Sequence, residues 1–299
     1  METRVLHYFL MVAKLGNVTK AAKSLHITQP TLSRQIADLE SEMGIKLFDR
    51  SNRHLVLTKA GTVFQQRAKM ILDLIAQTEV EVKQENDELT GTIHIGCVES
   101  SASMFVMKIV KQMQKLYPNV KFDIYTGNGD TLRERIDQGF LDCALLIEPV
   151  ETAKYNYMVL PTKDTWGILV RKDDSLAQKN YVTNTDLYKI PLITNHRSLV
   201  RDELIDILKL NPNKLNIVAE YNLTSNAIQL VKLGDYYLLG IKGIYEMHND
   251  PEITFIPFSP TKQTGHVLAW RKNTLLSPAT KKFIQLVSET VNHQAQTHR

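Results

Sequence analysis

The sequence predicts a multidomain chain, α+β at its N-terminal end and α/β over the remainder, with one long helix between. Three observations carry this. Residues 2 to 43 divide into three short helices with apolar stripes, followed by a basic hairpin-like stretch. Residues 59 to 88 keep helical apolar spacing without a proline. From Thr92 onward, strands and helices alternate. A length of 299 residues with 43% hydrophobic side chains also exceeds what one core usually organises, so two or three domains are expected.

In the first helix, Val5, Leu6, Phe9, Val12 and Ala13 form one buried stripe, and Gly16 ends it. Thr19 is positioned to cap a second helix, Lys20 to Leu25, whose Ala21, Ala22 and Leu25 permit close packing. Thr28 is positioned to cap a third, with Pro30 in its first turn, where a missing amide proton costs nothing. Leu32, Ile36, Leu39 and Met43 fall within roughly 60° of one another on a helix and predict its buried face. Its other side offers Pro30, Arg34, Thr31 and Ser33, with Asp38, Glu40 and Glu42 toward the far end, so a polyanion would meet the N-terminal half. Lys46 to Thr58 reads as a wing with Ser51-Asn52 at its tip. Residues 1 to 58 hold eight Lys or Arg against five Asp or Glu, three of the chain's four net positive charges. The basic character is therefore local, and the total is too small for a polybasic coat on nucleic acid or membrane.

The stretch from Lys59 to Glu88 carries Phe64, Ala68, Ile71, Leu74 or Ile75, and Val82 at helical spacing. Such a helix is about 45 Å long, and one apolar stripe on it needs a partner, most simply the same helix of a second subunit. After Thr90-Gly91, strands are expected at Ile93 to Val98, Val120 to Tyr125 and Leu141 to Ile147, with helices at Met104 to Leu116 and Thr131 to Gln138. A second series follows: strands at Trp166 to Val170, Leu192 to Thr194, Ile217 to Glu220 and Tyr237 to Ile241, with helices near Val200 to Leu208 and Ser225 to Leu233. His266 to Trp270 and a helix from Pro278 to about Gln294 close the chain. The alternation predicts a mostly parallel sheet covered on both faces.

The first 60 residues closely resemble the winged helix-turn-helix of the LysR-type transcriptional regulators. The resemblance rests on Phe9, Gly16, Thr19-x-Ala21-Ala22, Leu25, the run Gln29 to Ile36, Leu39-Glu40, Gly44, Leu47-Phe48-x-Arg50 and Leu57-Thr58-x-Ala60-Gly61. It continues more weakly through Gly91-x-Ile93-x-Ile95-Gly96, Tyr117-Pro118-x-Val120 and Gly139-x-Leu141-Asp142-x-Ala144. Where the family often has Gly-x-Gly-Ile ending in Leu-Pro, this chain has Gly234 to Lys242 in a different pattern, so effector chemistry does not transfer from any relative.

The resemblance implies a winged helix-turn-helix DNA-binding domain over 1–58, a dimerisation linker helix over 59–88 and an effector-binding domain over 89–299. That last domain would have two α/β lobes like periplasmic solute-binding proteins, about 92–160 plus 266–299 and about 163–263, crossed near Leu160 to Lys163 and Pro260 to Thr264. It further implies double-stranded promoter DNA as partner, a homodimer or homotetramer, RNA polymerase as a further contact, and a small organic effector in the cleft.

For DNA, Arg34 suits guanine O6 and N7, Gln29 suits adenine, and Pro30 suits a thymine methyl. Thr28, Thr31 and Ser33 suit phosphates or bases at a helix N-terminus, and Arg50 and Arg53 in the wing suit the backbone or minor groove. Arg50 is equally well read as an internal ion-pair residue. For the effector, Ser100, Ser101 and Ser103 lie where the first strand enters a helix and suit an anion. Thr126, Gly127 and Asn128 lie on the carboxyl edge of the second strand. Ile147, Glu148, His196, Arg197, Thr224 and Ser225 would approach from strand ends or the second lobe, Arg197 favouring a carboxylate and Glu148 an amine. Each of these also reads as an ordinary cap, turn or solvated loop residue.

No metal site, cofactor or catalytic residue is expected. The chain lacks a complete dinucleotide fingerprint, a phosphate loop, a zinc-protease motif and a nucleophile elbow. Cys97 and Cys143 fall in expected buried strands and read as inert core thiols. Without a secretory signal or a membrane-length apolar run, the expected protein is soluble and cytoplasmic, with no membrane partner. Two other readings stay open at this stage. A small-molecule-binding or enzymatic α/β protein would lack sequence-dependent DNA affinity, and an architectural DNA binder would be indifferent to metabolites.

Overall fold

A computed structural model describes residues 1–49, 55–83, 89–151, 153–196 and 209–297. The chain divides into two compact units, Met1–Asp87 and Glu88–Arg299.

In the first unit, α1 (Thr3–Leu15) buries Val5, Leu6, Phe9 and Val12 and stops at Gly16, which turns left-handed and donates its amide to Val12. Helix α2 (Val18–Ser24) is capped by Asn17, whose side chain accepts from the Lys20 amide, and not by Thr19 as expected. Both are capping residues two positions apart, and Asn is the stronger. Helix α3 (Gln29–Met43) has Thr28 as its cap and Pro30 in its first turn, as expected.

Its buried face is Leu32, Ile36 and Leu39, but the next member is Glu40 rather than Met43, which is 46% exposed. Glu40 Oε1 accepts the amides of Leu47 (2.8 Å) and Phe48 (3.0 Å), and Oε2 accepts from Lys46 Nζ at 3.0 Å. The acid expected on the solvent side therefore fastens α3 to the base of the wing. There β1 (Phe48–Asp49) pairs antiparallel with β2 (Val56–Leu57). The expected wing tip, Ser51-Asn52, lies outside the described residues.

Helix α4 (Lys59–Lys83) covers most of the expected linker, and residues 84–88 lie outside the described set. Its apolar residues form two faces, not one stripe. Phe64, Ala68 and Leu72 pack on the N-terminal core, with the Phe64 ring edge-on to Phe9 at 4.8 Å. Val63, Ile71 and Leu74 are exposed and lie within roughly 80° of one another on the helix.

In the second unit, β3 (Gly91–Cys97), α5 (Ala102–Leu116), β4 (Val120–Thr126), α6 (Gly129–Asp137) and β5 (Cys143–Ile147) build the first lobe. Strand β6 (Tyr155–Arg171) then runs 17 residues, from the first lobe into the second. Sequence reading found only its second half, because Thr162, Lys163 and Asp164 interrupt the apolar pattern where it crosses.

The second lobe adds α7 (Asn184–Leu187), β7 (Pro191–Asn195), β8 (Asn216–Tyr221), α8 (Thr224–Lys232), β9 (Tyr237–Ile241), α9 (Lys242–His248) and β10 (Ile253–Pro257). Strand β11 (Gln263–Arg271) returns to the first lobe, where α10 (Pro278–Thr297) ends the described chain. The helix expected near Val200 to Leu208 lies outside the described residues.

The strand order is β4-β3-β5-β11-β6-β9-β7-β8, with β10 beside β6. The sheet is mixed rather than mostly parallel. Strands β3, β4 and β5 are parallel, as are β7, β8 and β9, while the crossing strands β6 and β11 enter antiparallel to their neighbours. Each lobe has its own core, one around Ile95, Leu145 and Phe283, the other around Ile168, Ile193 and Leu238.

The crossing is tied at Asp164, which is 2% exposed. Its carboxylate accepts the Ser101 amide (3.0 Å) at the start of α5 and the Gly243 amide (2.8 Å) at the start of α9. His266, fully buried on β11, places Nε2 3.2 Å from Asp164 Oδ2, a close polar contact without hydrogen-bond alignment. Its Nδ1 lies 3.1 Å from the Thr162 carbonyl. Gly243 is required here, since a Cβ would sit 2.2 Å from the Ser101 nitrogen.

Candidate functional site

Two separate surfaces carry the candidate residues. On the first unit, the start of α3 presents Thr28, Gln29, Pro30, Thr31 and Arg34 exposed, with Ser33 half-buried. The Thr28 cap fixes the helix start, its Oγ1 lying 2.8 Å from Thr31 Oγ1. Gln29 Nε2 donates to Ser33 Oγ at 2.8 Å, one turn on. The Arg34 side chain is 84% exposed, and its Nε lies 3.8 Å from Asp38 Oδ2, a loose pair in water that leaves the guanidinium face available. Arg50 and Arg53 lie outside the described residues. This face is a helix N-terminus with short hydroxyls, an amide and an exposed guanidinium, a donor set suited to base edges and phosphates in a major groove.

The second surface is the cleft between the lobes of the second unit. It has about 50 Å³ of free space, enough for a compact ligand or a few waters. Gly127, Asn128, Ile147 and Thr224 line it, as the sequence suggested. Ser100, Ser101, Ser103, Thr126, Glu148, His196 and Ser225 do not appear in that lining.

Those residues have other local roles. Ser100 is fully buried, the Ser101 amide is held by Asp164, and Ser103 Oγ donates to the Val98 carbonyl at 2.9 Å. Glu148 folds over Gly265, where a Cβ would lie 2.1 Å from its Oε2. His196 pairs with Glu220 at 2.8 Å. Thr126 and Ser225 are exposed, and Arg197 lies outside the described residues.

Glu99, Trp166, Asn195, Tyr221 and Asn222 also line the cleft and escaped the sequence reading. Asn195 and Tyr221 end β7 and β8, and Asn222 and Glu99 follow β8 and β3 by one and two residues, on the carboxyl edge where open α/β sheets bind ligands; that signal was present at Glu99, one residue before Ser100. Glu99 reaches across the cleft, its Oε2 accepting from the Thr224 amide (2.9 Å) and Oγ1 (2.8 Å) at the start of α8.

A carboxylate only accepts, so the Thr224 hydroxyl spends its proton on Glu99. The contact of Thr224 Oγ1 with His248 Nε2 at 2.8 Å is then donated by the imidazole. Burial, and secondarily the Glu99 charge, push the Tyr221 phenol above its ordinary range, so it stays protonated and donates to the Leu239 carbonyl at 3.0 Å. Both thiols lie in the first lobe's core. Burial pushes Cys97 up to about 12 and Cys143 well above the usual thiol range, so neither is a thiolate at neutral pH. Among the described residues no His, Cys, Asp and Glu cluster has the makings of a metal site, and no helix is long and apolar enough to cross a membrane.

Comparison with known proteins bears directly on both surfaces. Residues 3–62 match the family described as bacterial regulatory helix-turn-helix protein, lysR family, and residues 86–292 match the LysR substrate binding domain. The chain belongs to the LysR family of transcriptional regulators. This LysR-family chain is 30% identical to the transcriptional regulator YybE of Bacillus subtilis, over 96% of its own length and 98% of that protein's. It is 29% identical to the Hca operon transcriptional activator HcaR of Escherichia coli, over 97% and 98% of the two.

Full-length CbnR, solved in complex with its target DNA, shares the fold at a TM-score of 0.73 and 21% identity, covering 97% of this chain and 99% of that one. OxyR of Pseudomonas aeruginosa shares it at 0.62 and 20%, covering 97% and 94%. The LysR-family chain is thus a DNA-binding transcriptional regulator with an effector-binding domain, residues 3–62 and 86–292 being the parts that match those two family descriptions.

Proposed function

We propose that this regulator reads specific base pairs through the start of α3 and couples that binding to a small molecule in the cleft. The observation that carries the reading is the exposed α3 face, where Gln29, Pro30, Thr31 and Arg34 present contact chemistry while Leu32, Ile36 and Leu39 hold the helix in the core. Arg34 is the guanine reader, Gln29 an adenine reader, Pro30 a thymine contact, and Thr28, Thr31 and Ser33 phosphate or base contacts. Arg50 and Arg53 follow the backbone or enter the minor groove. In the cleft, the proposed effector-facing set keeps Gly127, Asn128, Ile147 and Thr224 and adds Glu99 and Trp166. The chain catalyses no reaction and acts in the cytoplasm, where its DNA is. A ligand shifts DNA binding only if it prefers one subunit arrangement over another.

Footprinting on the DNA flanking its coding region tests this. Wild-type protein is expected to protect a discrete segment in moderate salt with nonspecific competitor. The Arg34→Ala variant is expected to lose about 1–3 kcal/mol of discrimination at one base pair, roughly 5- to 150-fold. Unchanged preference across a series of mutated sites removes Arg34 from base readout, and salt-sensitive coating without a preferred site favours an architectural binder.

The protein acts as a homodimer through α4, and as a homotetramer when dimers pair. Support comes from Val63, Ile71 and Leu74, three large apolar residues exposed along one side of a 25-residue helix. Replacing Ile71 and Leu74 with glutamate is expected to halve the sedimentation mass or more. Their exposure makes loss of folding an unsuitable explanation for that result, and an unchanged mass refutes the pairing.

A further inference from the structure

Three of the helix N-termini around the cleft, and a fourth at its hinge, already have an acceptor from the protein itself. Asp164 takes the Ser101 amide before α5 and the Gly243 amide of α9, Asn128 Oδ1 takes the Thr131 amide of α6, and Glu99 takes the Thr224 amide of α8. These amides are where an open α/β sheet ordinarily holds an anion. In this chain one amide at each of these helix starts already has a protein acceptor, and at α8 that acceptor is itself a carboxylate in the cleft wall.

The charge inventory points the same way. Among the described residues lining the cleft, Glu99 alone carries a formal charge at neutral pH. The α8 N-terminus, equivalent to roughly half a positive charge, offsets only part of it. His248 reaches Glu99 solely through the Thr224 hydroxyl. Oε1 of Glu99 takes no part in the bonds to Thr224. Apart from the uncharged polar side chains of Asn128, Asn195, Tyr221, Asn222 and Thr224, the rest of the wall is apolar, with Val98, Ile147, Trp166, Ile241 and Ile244 among its side chains. A carboxylate brought here would meet a like charge in a confined space whose described lining holds no cation, whereas an ammonium would find a preorganised partner.

We propose that the effector is a small amine with an apolar body, its ammonium held by Glu99, and that carboxylates are discriminated against. This rests on the reading of the cleft as the effector site, and the test separates the two. In a Trp270→Phe background, Trp166 is the single tryptophan and reports on the cleft. The full-length protein is titrated at pH 7 with benzylamine and isobutylamine, and in parallel with benzoate and isobutyrate.

The amines are expected to saturate the Trp166 signal at concentrations at least tenfold below the matched acids. Glu99→Gln is expected to weaken the amines at least tenfold, while its amide oxygen still accepts from Thr224 and preserves the fold, as circular dichroism would check. Glu99→Asp is expected to keep the preference for amines. Tighter binding of the acids overturns the proposal, as does amine binding indifferent to Glu99→Gln, or saturation by none of the four. The same compounds are then added to the footprint. Acids that bind and change it would overturn the amine assignment and leave the sensor reading standing. Amines that bind through Glu99 and leave it unchanged would uphold the ligand class and refute the coupling to DNA.

Discussion

Replacing Asp164 with alanine is expected to destabilise the effector-binding unit by about 3–5 kcal/mol, the range for removing one member of a buried charged network. The carboxylate is nearly inaccessible and serves two backbone amides and an imidazole. Its removal leaves the Ser101 and Gly243 amides without an acceptor, each costing about 1–3 kcal/mol if water does not replace it. Both tryptophans of the chain, Trp166 and Trp270, lie in this unit, so the fluorescence melt of the full-length protein reports on it selectively. A fall in Tm on the order of 10 °C is expected.

Burial alone would push the Asp164 carboxyl up, but His266 and the Ser101 amide outweigh it and hold the carboxyl below its usual range. A depressed carboxyl contributes stability that is present above its unfolded value, about 3.9, and is lost as pH falls through the lower folded value. The gap between wild type and Asp164→Asn should therefore be full at pH 6 and shrink below about pH 4. Because Asp164 joins helices from both lobes to a crossing strand, these variants should also loosen the cleft. An alanine variant that melts with wild type would show that the hinge amides find other partners, and would end the bridging role given to Asp164.

What sequence reading recovered and what it missed divide along a physical line. Local signals survived: the Leu32, Ile36 and Leu39 face, the Thr28 cap, the Gly16 stop, and strand β9, found at its observed bounds. Each depends on neighbours within a few turns or on strand propensity. The bonding of Asp164 and the reach of Glu99 to Thr224 were not legible, because their partners lie up to 125 residues away in sequence and are set by how the chain crosses between lobes. A charged residue amid polar neighbours gives no periodic signal that it is buried. The two faces of α4 were merged for a related reason. Apolar spacing shows that a residue needs a partner, and Phe64 and Ala68 found theirs in the N-terminal core, while Ile71 and Leu74 stayed exposed.

Glu40→Ala is expected to carry the second large effect, about 2–4 kcal/mol, borne by a unit of 87 residues. The loss comes from the amides of Leu47 and Phe48, both in buried residues, and little of it from Lys46, whose side chain is 73% exposed. Glu40→Gln separates the two contributions. Its carbonyl oxygen can still accept both amides that Oε1 accepts, so only the charge is lost, and the cost should fall to about 1 kcal/mol. Burial works to raise the Glu40 carboxyl, but hydrogen bonds from Lys46 and from the Phe48 and Leu47 amides overcome it and hold it low. Its stabilisation is accordingly present at neutral pH and lost as pH falls through that lowered value.

Amide hydrogen exchange at Leu47 and Phe48 should quicken in the alanine variant and stay near wild type in the glutamine variant. Because Glu40 fastens α3, the helix proposed to read DNA, to the start of the wing, the alanine variant should weaken binding to all DNA sequences by a similar factor, whereas Arg34→Ala should weaken it unequally across bases. A Glu40→Ala protein that changed base preference while keeping its exchange protection would mean that Glu40 faces DNA and not the wing.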